Sequence, residues 1–230
     1  MLSVRGLDAW YGKSQVLRGV DLDVGRGEIV ALLGRNGAGR STMLKAIMGA
    51  VTRQGTINFD GRSIATMQPH EVARAGLGFV PEDRAIFPDL TTAQNLLLGE
   101  KQGPGEKFGL SDAYALFPRL RERASAPAGA LSGGEQQMLA ICRTLMGAPS
   151  LMMVDEPTEG LAPMMVEKVR ELLESVAARG TTILLVEQKL AIALAIAKRL
   201  YVMGHGRIVF EGTPADFAAA HSMRREWLEV

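Results

Sequence analysis

The chain has 230 residues, 47% of them hydrophobic and 22% charged, which is enough apolar material for one large domain or two small ones and too much for intrinsic disorder. Its 26 Lys and Arg against 25 Asp and Glu leave a net charge of +1, so no global charge excess points to nucleic acid or to an anionic membrane surface. A single cysteine, Cys142, excludes a disulfide scaffold and fits a reducing compartment.

The opening MLSVRGLDAWYG lacks a basic start followed by an apolar run, so no secretion signal is expected. No window approaches the ~18 uninterrupted apolar residues of a membrane span. Residues 2–7 alternate weakly and residues 16–24 alternate well, the pattern of strands wetted on one face. The run IVALLG from Ile29 is continuously apolar, which predicts a strand covered on both faces, as in parallel sheets. A helix is predicted over residues 41–48, stopped by Gly49, and GTINFDG from Gly55 reads as an exposed strand ending in a turn. Residues 92–146 are helical in pattern with Gly and Pro interruptions. Then come a strand from Leu151, a helix over about 164–179, a strand from Thr182, a helix over 191–198, and the strands LYVM and RIVFEG. Strand–helix alternation around continuous apolar strands predicts an α/β core, with the helical middle as an insertion.

After IVALL stand Gly34, Arg35, Asn36, Gly37, Ala38, Gly39, Arg40, Ser41 and Thr42. This is phosphate-loop spacing with one departure, Arg40 where the pattern asks for Lys. Glycines let backbone N–H groups turn inward onto phosphate oxygens, and the helix beginning near Arg40 adds its N-terminal partial charge to the same anion site. The Ser41 hydroxyl suits Mg²⁺, a hard cation that prefers oxygen ligands. Arg40 keeps the charge of lysine but not its compact shape, so phosphate binding is expected to survive in weakened form and phosphoryl transfer to suffer more.

The apolar strand LMMV ends in Asp155 and Glu156, which period-two geometry sends to opposite sides. Asp155 is the expected metal ligand and Glu156 the residue that polarises the attacking water. Ser132, Gly133 and Gly134 open a further predicted helix, where a capping serine and two bared amides again suit an anion.

LSGGEQQ from Leu131, followed by LMMVDEPTEGLAP from Leu151, resembles the signature helix, Walker B strand and D-loop of ABC-type ATPases, and the resemblance covers essentially the whole chain. GGEQQMLAICRTLM, GLAP at Gly160 and LLVEQ ending at Gln188 resemble one subgroup, the ATPase subunits of branched-chain amino acid (and related amide or urea) importers. The resemblance implies a P-loop NTPase, RecA-like core with an antiparallel β subdomain and an inserted helical subdomain. It implies one ABC ATPase domain over 1–230, with the core in about 1–84 and 149–230 and the helical part in about 85–148. ATP and Mg²⁺ are the implied cofactors. Tyr11 would stack on adenine. Gly34, Asn36, Gly37, Ala38, Gly39, Arg40, Ser41 and Thr42 would hold the phosphates, and Ser41, Asp155 and Glu82 (at the usual Q-loop glutamine position) the metal. Gln188 stands where most relatives have the switch histidine, and with Glu156 and Arg40 it completes the expected catalytic set.

The resemblance further implies that Ser132, Gly133 and Gly134 bind nucleotide held by a second ATPase subunit, identical or different, with Glu159 to Ala162 at the seam. The helical middle, with apolar patches at residues 86–88 and 96–98, would dock on transmembrane permease subunits at the cytoplasmic face of the membrane. A periplasmic or extracellular solute-binding protein would act indirectly, and no nucleic acid is expected. Two other readings stay open: an ATP-binding regulatory subunit without turnover, favoured by Arg40, and a soluble non-transport ABC ATPase, disfavoured by the short chain.

Overall fold

The computed structural model describes residues 1–228. The chain opens with β1 (Leu2–Tyr11) and β2 (Ser14–Val24), an antiparallel pair that buries Leu2, Val4, Leu7, Leu17, Val20 and Leu22 on one face. Next come β3 (Ile29–Gly34), buried along its whole length, and α1 (Arg40–Met48). β4 (Thr52–Phe59) and β5 (Arg62–Ser63) complete a four-stranded antiparallel sheet in the order β2-β1-β4-β5. β4 begins three residues before the predicted strand because its pairing with β1 runs back to Trp10 opposite Thr52.

A short α2 (Pro69–Arg74) leads into β6 (Leu77–Val80), neither of which has enough length to show periodicity in the sequence. The helical middle consists of α3 (Thr92–Leu97), α4 (Leu110–Leu116), α5 (Pro118–Glu122) and α6 (Gly133–Leu145). Strand and helix then alternate: β7 (Leu151–Asp155), α7 (Pro163–Ala178), β8 (Thr182–Val186), α8 (Leu190–Ile196), β9 (Arg199–Gly204). β10 (Arg207–Gly212), α9 (Pro214–Ala219) and α10 (His221–Trp227) follow.

The second sheet has the order β10-β9-β3-β8-β7-β6, parallel throughout except for the edge strand β10. Its strands alternate between two cores, which is why they read as continuous apolar runs. Val30, Leu32, Met153, Leu184 and Val186 face one core with Met43, Leu44 and Ile47 of α1 and the antiparallel sheet. Ala31, Leu33, Met152, Val154, Ile183 and Leu185 face the other, with α6, α7 and α8. α1 is thus held between the two sheets, and its first turn is fixed relative to the ends of β3, β7 and β8. Among the described residues no helix is long and apolar enough to cross a membrane.

The apolar run at 96–98 divides: Leu96 is fully buried in the helical core, while Leu97 and Leu98 are about half exposed, as is Phe87. Leu96 is therefore a core residue and not part of the predicted surface patch.

Candidate functional site

The loops after β3, β7, β8 and β6 all leave the carboxyl edge of the parallel sheet, where open α/β sheets place ligands. Register brings the strand ends level, with Leu32 and Asp155 both opposite Val186 of β8. A cavity of about 440 Å³ opens there, lined by Asn36, Gly37, Gly39, Arg40, Ser41 and Thr42 on one side and by Glu82, Glu156 and Glu159 on the other, with Val16 at its rim.

Two glycines shape the near wall. Gly37 has φ 79° and Gly39 has φ 109°, left-handed conformations that side chains rarely adopt. A Cβ on Gly39 would also press on Leu17 at 3.0 Å. Gly39 is the N-cap of α1 and offers no side-chain cap, and the first turn carries no acidic residue. The orphan first-turn amides of α1 therefore face the cavity with the positive end of the helix dipole behind them.

Arg40, only 4% exposed, turns its guanidinium across the cavity floor: Nη2 donates to Glu156 Oε1 at 2.6 Å and to Asn36 Oδ1 at 3.1 Å. Its Nη1 is buried without a partner. The Ser41 hydroxyl donates to Asp155 Oδ1 at 3.1 Å. Both acids therefore meet the first two residues of α1, and the expectation that they lie on opposite sides fails for a local reason. The strand ends at Asp155, and Glu156 takes φ 44°, a left-handed turn that breaks the two-residue alternation. Its N–H donates to Val186 O at 2.9 Å, which anchors the turn on β8.

Burial pushes the Asp155 carboxyl up to about 6, helped by the charge of Glu82 and opposed by the bond from Ser41. Burial also raises Glu156, against the pull of Arg40, and the nearby charges of Glu159, Asp155 and Glu187 add to the rise. Among the described residues no group of three or more His, Cys, Asp or Glu side chains could hold a metal alone. The Ser41 hydroxyl and the Asp155 carboxyl are nevertheless the hard-oxygen pair that suits Mg²⁺, which fills its remaining positions with water and phosphate oxygens.

The other expected residues are placed as follows. Gly34 and Ala38 are buried behind the loop, and a Cβ on Gly34 would lie 2.6 Å from Met203 O. Glu82 is exposed and lines the cavity. Tyr11 is exposed at the end of β1, and Gln188 is exposed just past β8; neither lines the cavity. Ser132, Gly133 and Gly134 open α6 outside the cavity lining, with Ser132 and Glu135 closing a capping box. His70, His205 and His221 are exposed, as expected of histidines outside the motifs. Val16 and Glu159 were not foreseen as lining: Val16 sits in a strand with no chemical signal, and Glu159 is expected at the seam with a second subunit rather than in the cavity wall.

The family model for ABC transporters matches residues 17–159. The chain is 39% identical to the high-affinity branched-chain amino acid transport ATP-binding protein BraG of Pseudomonas aeruginosa, over 99% of both chains. It is 36% identical to a probable branched-chain amino acid transport ATP-binding protein, LivF, of Archaeoglobus fulgidus, over 93% of this chain and 92% of that one. It is also 30% identical to the lipopolysaccharide export ATP-binding protein LptB of Haemophilus influenzae, over 99% and 97%. In structure it resembles a nucleotide-free ATP-binding cassette of an ABC transporter, with TM-score 0.82 and 27% identity over 96% of this chain and 95% of that one. A dimeric cassette in a post-hydrolysis state bound to ADP and Pi superposes with TM-score 0.79 and 25% identity over 93% and 99%. A P-loop α/β core with its antiparallel sheet, a matching family model and full-length relatives lead to one conclusion: this chain belongs to the ABC transporter family, whose ATP-binding subunits hydrolyse ATP to power transport.

Proposed function

We propose that the chain drives a membrane importer for branched-chain amino acids or related small amides, with Arg40 slowing its hydrolytic step. The cargo reading rests on the kinship with BraG and LivF, and the export relative LptB shows that the same cassette also serves the opposite direction elsewhere. The nucleotide reading is carried by one observation: among the described residues Arg40 Nη1 is buried and unpartnered, in a cavity walled by uncapped helix amides, where a phosphate oxygen would satisfy it.

In this reading the amides of residues 37–42 grip the triphosphate and Tyr11 stacks on the base. Ser41 and Asp155 would hold a magnesium ion, with Glu82 accepting from its water, and such an ion would offset charge on the phosphate oxygens. Glu156 orients the attacking water and takes its proton at a carboxyl oxygen as ATP and water become ADP and phosphate. Gln188 donates to the γ-phosphate. A second ATPase subunit, identical or different, supplies the equivalents of Ser132, Gly133 and Gly134, since among the described residues the cavity meets one helix N-terminus, that of α1, for four phosphate charges. Residues 85–148 form the helical part that meets the permease at the cytoplasmic face, and a solute-binding protein acts on the far side.

The Arg40–Glu156 pair favours one alternative, a regulatory subunit that binds ATP without turnover, because the pair holds the carboxylate that would serve the water. Steady-state hydrolysis of Mg·ATP by the wild type beside Arg40→Lys separates the two. We expect the substitution to raise turnover by about tenfold or more, about 1.4 kcal/mol of barrier. Equal rates would remove the assigned defect, and no turnover in either would favour the regulatory reading.

A further inference from the structure

The residues on either side of Gln188 grip the segment that follows the catalytic acids. Glu187 is 2% exposed, and its carboxyl gathers three donors: Oε1 accepts from the N–H groups of Gln188 and Lys189, each at 2.9 Å, and Oε2 accepts from the buried Thr158 hydroxyl at 2.7 Å. Lys189 Nζ returns to the same residue, donating to Thr158 O at 3.1 Å. Thr158 is thus held by both its hydroxyl and its carbonyl, and the backbone of Gln188 is fixed between the two contacts. Thr158 lies two residues past Glu156 and immediately before Glu159, a cavity-lining residue. A carboxyl buried this deeply is costly unless its lone pairs are met, so the clamp has one low-energy arrangement and resists sliding.

We infer that Thr158 and Glu187 are positioning residues for Gln188, forming a latch that makes the loop after β7 and the loop after β8 move as one body. The inference rests on the reading of the cavity as a nucleotide site and of Gln188 as its phosphate sensor. A displacement of residues 159–162 by a facing subunit or by nucleotide then reaches Gln188 through the side-chain bonds of Thr158, Glu187 and Lys189 rather than through the single backbone bond from Glu156 to Val186 at the strand ends. Fold stability alone would not require Lys189, an exposed residue, to bond the same threonine.

The test is hydrogen–deuterium exchange of the full chain with and without Mg·ATP, read at residues 37–42 and 188–190. In the wild type both regions should exchange at least about threefold more slowly with nucleotide. Thr158→Val should abolish the response at 188–190 and leave it at 37–42, and Thr158→Ser, which keeps the hydroxyl, should restore it. A response at 188–190 that persists in Thr158→Val, or that is missing from the wild type while 37–42 responds, overturns the latch. No response at 37–42 in the wild type overturns instead the nucleotide-site reading beneath it. Should Thr158→Val fail to fold, Lys189→Met on the exposed side of the clamp replaces it. Loss of at least half the response at 188–190 supports the latch, and an unchanged response overturns it.

Discussion

Arg40 and Ser41 show how one helix turn sets the chemistry of two acids, Glu156 and Asp155. Arg40 pairs directly with Glu156, whereas Asp155 bonds only the neutral Ser41 hydroxyl, and burial raises it to about 6 against the more remote pull of Arg40 and Lys45. A carboxyl whose folded value lies above its ordinary 3.8 favours the fold when protonated. Its stabilising share is complete below that value and is lost as pH rises through about 6. Above that pH the metal-free chain bears the cost of a buried charge. Asp155→Asn keeps an oxygen for Ser41 to bond and removes the charge. It should therefore stabilise the nucleotide-free chain by about 1–3 kcal/mol at pH 8, with the gain vanishing near pH 4. Urea unfolding at the two pH values checks this, and a gain of equal size at both would assign it to packing instead.

At the scale of elements, α1 is anchored at both ends by groups of different legibility. Its start is written in the glycine spacing and its stop in Gly49, the left-handed C-cap, but the anchoring of its last turn depends on Arg53 of β4. The Arg53 guanidinium donates to Ala46 O in the last turn at 2.6 Å, and to Ala65 O, Ile64 O and Met67 O at 2.8 to 2.9 Å. Burial lowers its pKa, yet four carbonyls leave no reason for it to lose its proton. No local pattern marks Arg53, because its partners lie as far as fourteen residues away. Arg53→Ala should cost about 2–3 kcal/mol in denaturant unfolding, and Arg53→Lys should recover less than half, since an ammonium cannot match the planar fork. Full recovery by lysine would show that charge alone anchors the helix.

Over the whole molecule, two sheets hold α1 between them and a helical layer covers the other face of the parallel sheet, and α3, its C-cap and the loop before it bear exposed Phe87, Leu97 and Leu98. If this patch meets the permease, Leu98→Asp should leave folding stability within about 0.5 kcal/mol and nucleotide binding unchanged. It should also abolish co-purification with the membrane subunits expressed from the same cell. Retained co-purification would move the docking surface elsewhere.

Local pattern determined much of this protein. Continuous apolar runs announced β3, β7 and β8, because strands covered on both faces have no polar side to show, and glycine spacing announced the loop that wraps an anion. Short elements such as α2 and β6 left no periodic trace, and neither did the division of residues 96–98 between core and surface. Tertiary structure alone decided that Glu156 turns back onto Arg40, that Arg53 closes α1 and that Thr158 is bonded to Glu187. These contacts join residues 7, 29 and 116 positions apart, and sequence pattern records only what a residue does to its nearer neighbours.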